Sequence, residues 1–131
     1  MSALYLDTSA FVKLVVEEAE SAAVATLLRE RGSRRVASAL LRTESLRAVR
    51  HLGPEALAMV REGLRRVDLI AIDNRILDAT GILEPHVLRT LDAIHLATAM
   101  AVGDDLEAII TYDERMVEAA RLMGLPTITP G

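Results

Sequence analysis

The sequence predicts an α/β fold: a three-layer α/β/α sandwich around a mainly parallel, five-stranded sheet. Three observations carry that expectation. Short apolar, β-branched runs alternate with longer stretches of helical period along the chain, and strands of that kind belong to parallel sheets covered on both faces. Turn residues punctuate the segments, with no linker, repeat or low-complexity tract between them. At 131 residues, 51% hydrophobic and without cysteine, the chain can bury a core needing neither disulfides nor a thiolate metal site, and residues 1–131 read as a single domain.

Ala3-Leu4-Tyr5-Leu6 is the first strand, stopped by Asp7-Thr8-Ser9. Phe11, Leu14 and Val15 then recur at helical spacing. A second helix is expected from Glu20 to Arg31, with Ala23, Leu27 and Leu28 inward and Gly32 as its stop. Arg35-Val36-Ala37-Ser38 is the second strand. Helices follow over Leu40 to His51 and Pro54 to Val67, the latter with proline in its first turn. Leu69-Ile70-Ala71-Ile72 is the third strand, and Asp73 stands where the next helix needs a cap. A helix from Thr90 or Asp92 carries Ile94, Leu96 and Ala97 inward and stops at Gly103. Ala108-Ile109-Ile110-Thr111 is the fourth strand, Glu114 to Met123 the last helix, and Thr127-Ile128-Thr129 the fifth strand.

Ligands of open α/β sheets bind beyond the carboxyl ends of the strands. Asp7 follows the first strand there and Asp113 the fourth. Glu44 and Asp92 sit among apolar neighbours, in Leu40-Leu41-Arg42-Thr43-Glu44-Ser45-Leu46 and Leu91-Asp92-Ala93-Ile94-His95. An isolated buried carboxylate costs several kcal/mol unless it is paired or bound to a cation. Oxygen donors without a His/Cys cluster favour Mg²⁺ or Mn²⁺ over Zn²⁺. Each acid also has a plain structural reading: Asp7, Asp92 and Asp113 as turn or helix caps, and Glu44 as an exposed partner of Arg42 or Arg47. His95, three residues after Asp92, is either a satisfied core residue or a neighbour of that acid.

Taken together, Leu4-Tyr5-Leu6-Asp7-Thr8-Ser9-Ala10, Glu44, Leu91-Asp92-Ala93-Ile94-His95-Leu96-Ala97 and Thr111-Tyr112-Asp113 resemble a PIN-domain ribonuclease, most closely the VapC toxins of type II toxin–antitoxin pairs. The resemblance covers nearly the whole chain. It implies a metal-dependent endoribonuclease with Asp7, Glu44, Asp92 and Asp113 as its acidic quartet around Mg²⁺ or Mn²⁺. Thr8, Ser9 and Thr111 match the supporting polar positions, while Lys13 and His95 match positions frequent in one subgroup. It further implies a homodimer, an RNA substrate and a small antitoxin partner, for which Leu14, Val15, Leu27, Leu40 and Leu41 offer an apolar groove. Hydrolysis of a phosphodiester needs an activated water and neutralised phosphate charge, which such ions supply. A catalytically silent PIN-fold interaction module is the alternative.

Other classes fit less well. The formal net charge of −4 gives no global basic field, so RNA must be held by local arginines, with Arg42, Arg47 and Arg50 nearest Glu44 in sequence. Only Tyr5, Phe11 and Tyr112 are aromatic, too few for a base-stacking platform. No Walker A or Gly-x-Gly-x-x-Gly motif occurs. An aspartyl phosphatase of the haloacid-dehalogenase kind would need an acid where Ser9 stands. The chain has no apolar run near the roughly 20 residues that span a bilayer and opens without a basic signal region, so a cytoplasmic protein is expected.

Overall fold

The computed structural model describes residues 2–131. Its five strands are β1 (Ala3–Leu6), β2 (Arg34–Ser38), β3 (Asp68–Ile70), β4 (Leu106–Ile110) and β5 (Thr127–Ile128). They form one wholly parallel sheet in the order β3-β2-β1-β4-β5. β1 is therefore the middle strand. All four of its residues are buried, which explains why it is apolar at odd and even positions alike: Leu4 and Leu6 face one core, Ala3 and Tyr5 the other.

Helices α1 (Thr8–Val15), α2 (Ser21–Arg31), α3 (Leu40–Val49) and α4 (Pro54–Leu64) cover the first face. Phe11, Val15, Leu28, Leu41 and Val60 pack there on Leu4, Leu6 and Ile110. On the second face α6 (Thr90–Val102) and α7 (Glu114–Leu122) bring Leu96, Ala99, Met116 and Ala120 onto Tyr5, Val36 and Ile109, and α5 (Asn74–Gly81) packs on α6. The sandwich matches the expected layering. Among the described residues no helix is long and apolar enough to cross a membrane.

Local chemistry sets the element ends. Gly32 closes α2 with φ +62°, a left-handed conformation that glycine adopts without steric cost. Asp73 caps α5, its carboxylate accepting the Ile76 amide at 3.0 Å. Three expectations are corrected. The third strand is Asp68–Ile70, because only these residues pair with Val36–Ser38. The fourth helix stops at Leu64, where Arg65, Arg66 and Val67 bond back three residues in tighter turns. The inward residues of α2 are Val24 and Leu28, with Leu27 only partly covered.

Gly63 lies where α4 meets α1. A β-carbon there would stand 2.7 Å from Val15 Cγ1 and 3.1 Å from Phe11 Cζ. Val15 is β-branched and buried, so its χ1 is restricted and relieving the contact costs packing between α1 and α4. Gly63→Val should therefore lower the unfolding free energy by about 1–3 kcal/mol despite valine's better helix propensity. Urea denaturation measures this, and an unchanged midpoint would show that α1 and α4 can part.

Candidate active site

The end of β1 delivers Asp7 to the carboxyl edge of the sheet with only 6% of its surface exposed. Its amide continues the pairing with β4 by donating to the Ile110 carbonyl, and its carbonyl accepts the amides of Ala10 and Phe11 to start α1. Its carboxylate makes no cap bond to that helix. Oδ2 instead accepts the Ser9 hydroxyl at 2.9 Å and the Thr111 hydroxyl at 2.8 Å. Those hydroxyls in turn accept the amides of Tyr112 and Asp113. The loop after β4 is thus clamped to the start of α1 through Asp7.

Oδ1 faces another network. His95, buried on α6, places Nε2 4.0 Å from Asp7 Oδ1 and 2.5 Å from Glu44 Oε1. The Thr8 hydroxyl donates to the same Glu44 oxygen at 2.7 Å. The second ring nitrogen of His95, Nδ1, lies 2.6 Å from the Tyr5 hydroxyl, which also accepts the Ser38 amide at 3.1 Å. Burial pushes the Tyr5 phenol far above its ordinary value, so it keeps its proton. With neutral imidazole, Tyr5 donates to Nδ1 and Nε2–H donates to Glu44, an assignment made from the partners.

Burial alone would lower the His95 pKa, but the Glu44 hydrogen bond and the negative charges of Asp7, Glu44 and Asp92 outweigh it and raise the value. Burial likewise pulls Glu44 upward, and the bonds from His95 and Thr8 hold it below the usual carboxylate range. Asp92, in the first turn of α6, goes the other way. Burial first, then the charges of Asp113 and Asp7, raise it. Asp113 stands at the head of α7 and accepts the Arg115 amide through Oδ1 at 2.9 Å.

All four acids therefore meet at one edge, with different commitments. Glu44 is not an exposed partner of Arg42 or Arg47, because His95 and Thr8 hold it. Asp113 does cap a helix. Among the described residues no three of these groups stand close enough to form a ready metal cage; the hydrogen bonds leave Asp7 Oδ1, the Asp92 carboxylate and one oxygen each of Glu44 and Asp113 without a donor. Lys13 is away from the acids, its ammonium 2.5 Å from Glu20 and 4.6 Å above the Tyr112 ring. Arg42, Arg47 and Arg50 are exposed along α3 and the turn after it, and among the described residues no ion pair joins them to the quartet. Two contributors were missed. Tyr5 read as plain core, although a tyrosine buried in an aliphatic core needs a partner for its hydroxyl. Arg89 was also missed, and its charge acts on Asp92.

The PIN domain family pattern matches residues 4–122. The chain belongs to the PIN-domain family. This PIN domain is 50% identical over 130 residues to Ribonuclease VapC46 of Mycobacterium tuberculosis, covering 99% of each chain. It is 44% identical over 131 residues to Ribonuclease VapC35 of the same species, covering 98% of this chain and 97% of the other. Two solved structures share the fold. One is Mycobacterium tuberculosis VapC20, a sarcin-ricin loop cleaving toxin, with TM-score 0.75 and 16% identity over 97% of this chain and 99% of that one. The other is a toxin–antitoxin complex from Klebsiella pneumoniae, with TM-score 0.73 and 22% identity over 99% and 98%.

The His95–Glu44 pair makes stability depend on pH. A raised imidazole pKa means that the folded state holds a proton the unfolded chain releases, so this stabilisation is complete below the ordinary value of 6.5 and disappears as pH rises through the raised one. A lowered carboxyl pKa stabilises above the ordinary 4.5 and fails as pH falls through the lowered value. Urea midpoints of the PIN domain should accordingly drop on both sides of this window, and Glu44→Gln should flatten the alkaline side. An alkaline limb unchanged in that variant would mean that His95 gains nothing from Glu44.

Proposed function

We propose that this PIN domain, residues 1–131 as one unit, is a divalent-metal-dependent endoribonuclease and the toxin of a VapBC-type toxin–antitoxin system. Full-length relatives named as ribonucleases support the class. The observation that carries it is the convergence at the sheet's carboxyl edge of Asp7, held by Ser9 and Thr111, with Glu44, held by Thr8 and His95, and with Asp92, whose ionisation is opposed first by burial and then by Asp113 and Asp7. A silent interaction module has no use for acids that destabilise one another.

The donor set suits a hard cation: carboxylate oxygens, no thiolate, and negative charge that a divalent ion would relieve. Asp7 and Asp92 would hold Mg²⁺ or Mn²⁺, with Asp113 as a further or water-mediated contact. When bound, the ion supplies charge neutralisation at the phosphate and makes a water more acidic. Ser9 and Thr111 fix Asp7 so that Oδ1 keeps one direction. Glu44, steadied by Thr8 and His95, orients the water that attacks phosphorus, and that water gives up its proton to solvent as the bond to the leaving oxygen breaks. The leaving ribose oxygen takes up a proton from solvent at this open edge.

RNA is the substrate and a small antitoxin the partner. Of the arginines near Glu44 in sequence, Arg42 in the first turn of α3 begins at the carboxyl edge, whereas Arg50 lies about 12 Å further along the axis. The antitoxin would contact the early helices through Leu14, Leu27 and Leu40; Val15 and Leu41 are core. A homodimer is supported by the large exposed apolar side chains Leu77, Leu91 and Met100 on α5 and α6. The cytoplasm is the compartment that such a substrate implies.

Asp7→Asn and Asp92→Asn should each lower cleavage of single-stranded RNA by at least ~100-fold, and EDTA should abolish it in the wild type. Cleavage surviving EDTA or both substitutions would overturn the assignment. Stability gives a second readout. Because the Asp92 pKa is raised, its ionised form costs stability at neutral pH, so Asp92→Asn should raise the melting temperature in EDTA. Mn²⁺ at a hundredfold excess over its dissociation constant should stabilise the wild type by about 2.7 kcal/mol and the variant far less. Equal melting temperatures in all conditions would leave Asp92 as a mere helix-end charge.

A further inference from the structure

A groove of about 290 Å³ opens beside Asp92, where the segment before α6 faces α7. Its apolar lining includes Leu88, Val87 and Leu122, and its polar lining includes Arg89, Asp92 and Arg115. Val87 is 77% and Leu122 59% exposed, so two large aliphatic side chains stand in water next to an acid of the active site. Arg89 sits at the N-cap of α6, three residues before Asp92. Arg115 is set beside Asp113, whose carboxylate accepts its amide. Among the described residues neither guanidinium takes part in an ion pair, whereas Arg31, Arg34, Arg65 and Arg121 each have a carboxylate partner. Glu118 also lines the groove, but its charge is matched by Arg121 at 2.6 Å.

We propose that this groove seats the nucleotide adjoining the scissile phosphate of a single-stranded RNA, with Arg89 and Arg115 holding its backbone and Leu88 and Leu122 packing on its base. The inference rests on reading Asp92 as part of a ribonuclease site. In a chain of net charge −4, a polyanion must meet uncommitted cations at the point of reaction. These two arginines flank two of the four acids. The apolar walls select an unpaired strand, because a base offers its face only when it is splayed out of a duplex. None of the three aromatic residues lines the groove, so the base is gripped by aliphatic packing.

The test measures binding in EDTA, where nothing is cut. A fluorescent single-stranded RNA of mixed sequence is titrated with Asp7→Asn protein, and the anisotropy is followed over a salt series. Adding Arg89→Ala and Arg115→Ala should weaken binding at least ~10-fold and reduce the slope of log affinity against log salt by about 1.4, the value for two lost phosphate contacts to a single strand. Adding Leu122→Ser instead should weaken binding several-fold with the slope unchanged. Circular dichroism and melting of each variant confirm its fold. Unchanged binding in both variants, or equal affinity for duplex RNA, would overturn the groove. Wild-type protein that leaves the same RNA intact with Mn²⁺ would sink the ribonuclease reading; cleavage by the wild type alongside unaffected groove variants would sink the groove alone.

Discussion

The central strand of a parallel sheet has nowhere to end except in the gap between the two helical layers. β1 is that strand, so the residue after it is carried into a nearly dry position at the carboxyl edge, and that residue is an aspartate. Burying its charge without partners would cost several kcal/mol. The hydroxyls of Ser9 and Thr111 meet one oxygen of Asp7, and each hydroxyl is itself held by an amide of the loop after β4. Satisfying one carboxylate thereby joins β1, α1 and β4, and the direction of its other oxygen follows from that join.

The same economy extends to the opposite helical layer. Glu44 on α3 reaches His95 on α6, His95 reaches Tyr5 in β1, and Tyr5 takes the Ser38 amide at the end of β2. This line of polar groups crosses an otherwise aliphatic interior, and no buried side-chain polar atom among the described residues is left without a partner. It gives Glu44 a single orientation near Asp7. Asp92 is the exception, since its strongest charged neighbours are other acids. One edge of the molecule thus combines carboxylates that hydrogen bonds hold by one oxygen with one carboxylate whose charge is opposed by burial and by its acidic neighbours.

Much of this was legible in the chain. The alternation of short apolar runs with helical stretches revealed five strands and their parallel direction, because buried parallel strands need apolar residues on both faces. The four acids stood out by their position at strand ends or among apolar neighbours, and Asp73 as a cap followed from local chemistry alone. Contacts between residues distant in sequence were not legible. Glu44 lies 51 positions from His95 and Tyr5 lies 90 from it, so neither pairing leaves a local signal. Nor does nearness in sequence show which arginines stand beside the acids: Arg42 and Arg47 follow Glu44 along α3, while Arg89 and Arg115, distant from each other in the chain, line one groove with Asp92.

The proposed function requires a divalent ion to bind at this edge. Titrating isotopically labelled protein with substoichiometric Mn²⁺ and recording paramagnetic broadening of backbone amide resonances tests it directly. Saturable broadening centred on Thr8, Ser9, Ala93 and Asp113, and lost in Asp7→Asn, is the predicted result. The amides at the opposite end of the sheet, at Arg34 and Glu107, should stay sharp. Broadening that never saturates, or that centres on the exposed acids Asp104 and Asp105, would contradict a metal site built on Asp7 and Asp92.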